Sequence, residues 1–212
     1  MSVVTLTDGA LSMRITAQAK VETRQRILDV AAELFRNRGF DAATTRDIAR
    51  AAEIATGTLF NYFATKETIV AALVADALSR AQRRFEKTEP GESLAESLFA
   101  LVATELRQLR PYRKYLAPVL ETALSPLAAD ERGEPGEEIR VRHLERVASL
   151  ARSHGCGELS PVALQLYWTL YTGALAFWAH DRSPRQEDTL ALLDESLAMF
   201  ASWLADNSSA PQ

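Results

Sequence analysis

The sequence predicts an all-α fold, and three observations carry that prediction. Apolar residues recur at three- and four-residue spacing through most of the 212 positions. No stretch alternates apolar and polar as a half-buried strand does. The Gly, Pro and Ser/Thr punctuation falls between the periodic segments, where helices start and stop.

The elements follow in order. Residues 1–20, "MSVVTLTDGALSMRITAQAK", read as an N-terminal arm of flexible character, with Met13 a second candidate start. The arm has no basic start and no continuous apolar core, so it is no secretory signal. From Glu22 to Arg38, Ile27, Ala31, Leu34 and Phe35 form a helical face, and Gly39 supplies the stop. Thr44 with Asp47 is a capping box opening a short helix through Ile48, Ala49 and Ala52. The segment "TGTLFNYFATKE", 56–67, then places Phe60, Tyr62 and Phe63 within four residues, too many aromatics for one side of so short a helix. Thr65 starts a long helix reaching Thr88, roughly 36 Å at 1.5 Å per residue. Ser93 with Glu96 caps a helix to Leu109, and Pro111 and Pro118 bracket another that reaches Leu127. "ADERGEPGEE", 129–138, is the most loop-like stretch of the body, and a helix from Ile139 to Ser153 follows it. Ser160-Pro161 and Ser183-Pro184 each pair an N-cap with a proline at the first helical position, opening the last two helices. Residues 206–212 form a flexible tail.

Composition bounds the function. The single Cys156 leaves no disulfide framework and no cysteine zinc cluster, and His143, His154 and His180 lack metal-ligand spacing. No glycine-rich phosphate loop, nucleophile elbow or clustered carboxylate pair appears, so no catalytic residue, metal or cofactor is assigned. With no run of 18 apolar residues to span a membrane, a cytoplasmic protein is expected. The net charge of −4 is unevenly spread. Residues 1–66 hold nine Lys/Arg against seven Asp/Glu, and residues 67–212 hold fifteen against twenty-one. Any polyanion contact therefore belongs to the head.

Two short helices joined by a tight turn and braced by a longer one form a helix-turn-helix, expected over about 44–63. The second helix of such a pair enters the DNA major groove. At 100° per residue Leu59 and Phe63 point toward the supporting helices. Gly57, Thr58 and Asn61 point elsewhere, where close backbone approach and hydrogen bonding to bases are needed. Phe60 and Tyr62 suit the sugar edge and thymine methyls, and Lys66 adds a positive charge for the backbone.

These residues carry a resemblance. "TTRDIARAAEIATGTLFNYFATKETIV", 44–70, resembles the DNA-binding domain of the TetR family of bacterial transcriptional regulators, and the likeness runs from about Val21 to Val74, a quarter of the chain. The resemblance implies a DNA-binding domain over 21–66 and a helical ligand-binding and dimerisation domain over 67–205. It implies a homodimer that binds a near-palindromic operator, a repressor released by a small-molecule effector. It places DNA contacts on Thr45, Arg46, Thr56, Gly57, Thr58, Phe60, Asn61, Tyr62 and Lys66. Three positions depart from the family pattern. Glu53 replaces the turn glycine, at a cost of about 1 kcal/mol. Ala55 replaces a serine cap, leaving Thr56 to cap, and Phe60 replaces a frequent tyrosine.

The body is read less sharply. "LQLYWTLYTGALAFWAH", 164–180, is apolar nearly all round, which implies burial on two sides. Leu190, Leu193, Leu197, Phe200 and Leu204 form one stripe on the last helix, with Leu192, Met199 and Trp203 beside it. That stripe closes either its own domain's core or a seam with a second copy, and the family's four-helix dimer bundle favours the seam. Phe99, Gln165, Tyr167, Trp168, Thr169 and Tyr171 are the candidates for lining a ligand pocket. The alternative reading is a helical ligand-binding protein or an enzyme carrying a vestigial helix-turn-helix.

Overall fold

Helix α1, Thr7–Arg38, ends where Gly39 takes φ +83 and its N–H reaches the Phe35 carbonyl at 3.0 Å. The computed structural model describes residues 7–89, 91–116, 120, 124 and 133–208, with side chains from 17 in the first segment and from 136 in the last. The start of α1 departs from the sequence reading, since residues 7–21 continue the helix instead of forming an arm. Described side chains from 17 to 22 are exposed, Val21 to 68%. This part therefore has no apolar face for periodicity to detect. Helix-favouring Ala, Gln and Lys and a Gln18–Glu22 hydrogen bond of 3.1 Å support it.

The chain divides into two compact units, Met1–Ile69 and Val70–Gln212. In the N-terminal unit α1 packs on α2, Thr45–Ala51, and α2 on α3, Thr56–Phe60. Ile27, Leu28, Ala31, Phe35, Ile48 and Leu59 are its fully enclosed core. The capping box at α2 is present: Thr44 Oγ1 accepts from Asp47 N at 3.1 Å, and Asp47 Oδ2 accepts from Thr44 N at 3.2 Å.

Helix α4, Lys66–Phe85, begins behind a reciprocal cap. Thr65 Oγ1 accepts from Thr68 N and Thr68 Oγ1 accepts from Thr65 N, each at 3.2 Å. The C-terminal unit then holds α5, Leu94–Leu109; a 3-10 helix, Arg110–Tyr115; α6, Gly133–Ser153; α7, Pro161–His180; a 3-10 turn, Pro184–Gln186; and α8, Glu187–Ser208. Helix α5 packs against α6 and α8, and α7 against α6 and α8. Trp168, Trp178, Tyr167, Phe200, Leu98 and Leu101 fill the space between them.

Three boundaries differ from expectation. Helix α6 starts at Gly133 inside the stretch read as a loop. Pro135 lies in its first turn, where no intrahelical N–H bond is lost. After Pro111 the chain forms a 3-10 helix, while Pro118 and Leu127 lie outside the described residues. Ser183-Pro184 opens only a 3-10 turn, because Arg185 and Gln186 take φ 54 and 61 and interrupt the helix. Asp181 organises that junction, accepting from Ser183 N at 2.7 Å, Thr189 N at 3.1 Å and Thr189 Oγ1 at 2.5 Å.

Candidate nucleic-acid interface and interior cleft

The turn between α2 and α3 is closed by backbone hydrogen bonds. Ile54 N donates to Ala49 O at 3.0 Å and Glu53 N to Arg50 O at 3.1 Å, the paired bonds of a Schellman termination. Such a termination needs a left-handed residue, and Glu53 is it, with φ 56. From α1, Arg26 Nε donates to the Ala52 carbonyl at 3.0 Å, which ties the turn to the supporting helix.

Helix α3 is anchored by Leu59, with Phe63 just beyond it; both are buried. Around them Gly57, Phe60 and Asn61 are exposed, and Thr56, Thr58 and Tyr62 half-buried. Phe60 is 48% exposed, a large ring held at the surface by a five-residue helix. Gly57 has open space where a side chain would begin. The sequence expectation that Thr56 caps α3 is not met. The N-cap is Ala55, with no side-chain hydrogen bond, because Thr56 is already the first helical residue.

Charge is distributed unequally over this unit. Asp47 has its pKa lowered, first by the Thr44 hydrogen bonds and then by Arg38 and Arg50 at 4.0 and 3.7 Å. Arg24 lies over the Phe63 ring. Lys66 is committed too: its Nζ donates to the Phe40 carbonyl at 2.6 Å and sits 4.2 Å from that ring's centre. Arg46 is exposed, and no hydrogen bond or ion pair engages it among the described residues. Thr45 is half-buried beside it.

The six residues proposed for a ligand pocket are not brought together. Tyr167, Trp168 and Tyr171 are buried in the core of the C-terminal unit around His143, the two tyrosines stacked on its ring and Trp168 edge-on to it. Gln165 and Thr169 sit on an outward groove with Val162 and Leu166. Phe99 lines a different cleft with Arg107, Arg110, Trp178 and Arg185. A separate narrow cleft, partly open to solvent, lies between α4, α5 and α6. Ala75, Leu78, Leu101 and Ile139 form its apolar wall, and Glu105 and His143 its buried polar part. The available signal was a polar residue on an apolar stripe. Glu105 lies between Leu101 and Leu109, and His143 between Ile139 and Val147, all buried at four-residue spacing.

The stripe proposed as a dimer seam also needs correction. Leu193, Leu197, Phe200 and Leu204 are 2–4% exposed within one chain, so they close its own core against α5 and α7. Leu190 is 40% exposed. Among the described residues of α7 and α8, Val162, Leu166 and Phe177 on α7 and Leu192 and Met199 on α8 are exposed besides Leu190. The stripe from Leu193 to Leu204 turns inward because α8 has a whole core to fill, which leaves Leu190 and the flanking residues at the surface.

Comparison with known proteins agrees with this architecture. Residues 27–73 match the family model described as bacterial regulatory proteins, tetR family. The chain is similar to the HTH-type transcriptional regulator UidR of Escherichia coli, 34% identical over 37% of this chain and 42% of UidR. It is similar to the HTH-type transcriptional repressor KstR2 of Rhodococcus jostii, 34% identical over 51% of this chain and 53% of KstR2. The chain thus spans about half or less of the length of these relatives. Among solved structures, Thermus thermophilus FadR, a repressor in complex with lauroyl-CoA, has TM-score 0.59 and 25% identity over 89% of this chain and 96% of that one. A TetR transcriptional regulator from Nitrosomonas europaea has TM-score 0.62 and 24% identity over 85% and 98%.

Proposed function

We propose, from the premise that this chain belongs to the tetR family of bacterial regulatory proteins through its N-terminal domain, that it is a cytoplasmic transcriptional repressor without catalytic activity. It binds an operator as a homodimer and lets go when a small molecule occupies the C-terminal unit. The observation that carries this reading is α3. Leu59 and Phe63 anchor it, while Gly57, Phe60 and Asn61 remain exposed on a turn closed by its own backbone bonds. A short helix presented this way fits the major groove with its N-terminal side chains against base edges.

Each DNA-contacting residue has a role in this reading. Thr58 and Asn61 supply donors and acceptors to bases, Gly57 admits the phosphate backbone, and Phe60 packs on sugars or thymine methyls. Arg46 contacts phosphate, as do the Thr45, Thr56 and Tyr62 hydroxyls. Lys66 contributes its field while holding Phe40.

Two copies join through Val162, Leu166, Phe177, Leu192 and Met199, the apolar face that one chain leaves open. The pair then offers two α3 helices to half-sites about 34–36 Å apart. The effector enters the cleft lined by Ala75, Leu78 and Ser79 of α4, the helix that starts at Lys66 beside the DNA-binding elements. A shift of α4 takes the base contacts out of register together. By linkage, an effector that weakens DNA binding binds the DNA complex more weakly by the same factor.

Selection of bound duplexes from a random pool by the full-length protein tests the proposal. Enrichment of two inverted half-sites one helical turn apart is the predicted outcome. A pool that stays random after repeated rounds at physiological salt refutes it.

A further inference from the structure

A second cleft, of about 300 Å³, opens between α5 and the junction that joins α7 to α8. That is the size at which small-molecule pockets begin. Phe99, Ala103 and Leu106 of α5, Trp178 of α7 and Leu190 of α8 give it an apolar wall. Three cations share the lining: Arg107 in the last turn of α5, Arg110 at the start of the 3-10 helix and Arg185 in the junction.

No counter-charge accompanies them. Among the described residues no Asp or Glu lines this cleft, although residues 67–212 hold fifteen Lys/Arg against twenty-one Asp/Glu. Asp181, the buried carboxylate of the junction, directs its oxygens to Ser183 and Thr189. The three guanidiniums make no hydrogen bond or ion pair among the described residues. Neighbouring Arg113 differs, since it donates to the Trp178 and Asp181 carbonyls.

The backbone of the junction is a separate observation. Arg185 and Gln186 take φ 54 and 61, a left-handed region that glycine enters freely and that strains a residue with a side chain. Gln186 has a use for its side chain there: its Oε1 accepts from Trp178 Nε1 at 2.9 Å and fixes that ring in the apolar wall. Nothing described within the chain engages the Arg185 side chain, yet the strained turn sets it on the cleft. Such strain collects at ligand clamps, where the surrounding structure holds it in place.

Three like charges on one concave, partly apolar surface raise the local potential and attract anions. The planar fork of a guanidinium matches a carboxylate or a phosphate through two parallel hydrogen bonds. A cationic ligand would meet three charges of its own sign, and a neutral one would gain nothing from them.

We propose that this cleft binds an amphipathic organic oxyanion, its carboxylate or phosphate head held by Arg107, Arg110 and Arg185 and its apolar body lying against Phe99, Leu106 and Leu190. The site lies apart from the cleft beside α4, and binding there does not rest on the repressor reading.

Calorimetry on the full-length, DNA-free protein tests it with four probes of equal chain length: octanoate, octyl phosphate, octanol and octylamine. At least one of the two anions binds about tenfold or more tightly than octanol, the ratio that a charge-assisted hydrogen bond supplies, and the tighter anion identifies the head group. Arg107→Gln with Arg185→Gln brings that anion to the level of octanol. Arg84→Gln with Arg182→Gln removes the same charge from exposed arginines outside the cleft and leaves the affinity unchanged. Phe99→Ala weakens the anion and octanol alike. If Arg185→Gln disturbs the junction, Arg107→Gln with Arg110→Gln takes its place. Absence of anion binding at millimolar concentration overturns the inference. So does binding unchanged in the cleft-arginine variant or in Phe99→Ala, an equal loss in the Arg84 and Arg182 variant, or octylamine that binds as tightly as the anions. Anion binding through these arginines in a protein that selects no DNA supports the site and leaves the repressor reading to fail alone.

Discussion

Lys66→Met tests whether the lysine at the head of α4 is a structural tie. The parent ammonium donates to the Phe40 carbonyl at 2.6 Å and lies 4.2 Å from the Phe40 ring centre. Methionine keeps the apolar stem and removes both interactions. A hydrogen bond from a charged donor contributes about 1.5–3 kcal/mol, and both residues are half-exposed, so the lower end applies. The cation over the ring adds about 0.5–1 kcal/mol. The sum is about 2 kcal/mol, roughly a thirtyfold change in the folding equilibrium. Urea unfolding of parent and variant reads the loss, and hydrogen exchange across 40–66 locates it. An unchanged midpoint and slope would refute the reasoning, leaving Lys66 a solvated cation free for phosphate.

Phe177→Glu with Met199→Glu should give a folded monomer by light scattering and circular dichroism, whereas Phe200→Glu should lose the fold, since Phe200 is buried inside one chain. A dimer that survives the double substitution contradicts the seam assignment. Glu53→Gly should stabilise the protein by about 0.5 kcal/mol, the relief of a left-handed side chain less the added unfolded-state freedom of glycine, with DNA affinity unchanged. A lower melting temperature contradicts this. Asp181 has a strongly depressed pKa, chiefly through Thr189 and then Ser183. Its ionised form is the one the fold favours, so its contribution is complete above the ordinary value of 3.8 and is lost as pH falls below it. Asp181→Asn should flatten the acid side of the melting profile below about pH 4. A variant with the same acid slope as the parent rules that out.

Legibility in the sequence depended on whether a residue's role was written locally. The capping residues Thr44, Thr65, Ser93 and Ser160 act on N–H groups three positions on, and each bond is present. The left-handed turn at Glu53 was equally readable, because the helix-turn-helix register fixes it. The start of α1 was not, since its described side chains from 17 to 22 are exposed and carry no apolar period. The last helix carried too much signal: its apolar face is wide enough for two partners, and spacing does not say which stripe turns inward. The cleft depends on Leu78, Glu105 and His143 from three helices, a tertiary conjunction. The aromatic residues packed around His143, Tyr167, Trp168 and Tyr171, went to the core because large rings fill volume best.

The most direct test of the central claim is fluorescence anisotropy of the full-length protein with a selected near-palindromic duplex and its scrambled counterpart at physiological salt. The account predicts a preference of at least about a thousandfold for the selected duplex. It predicts that Thr58→Ala with Asn61→Ala removes most of that preference while leaving the weaker binding to scrambled DNA. Equal affinity for both duplexes, or a preference that survives the double substitution, would contradict α3 as the reading helix.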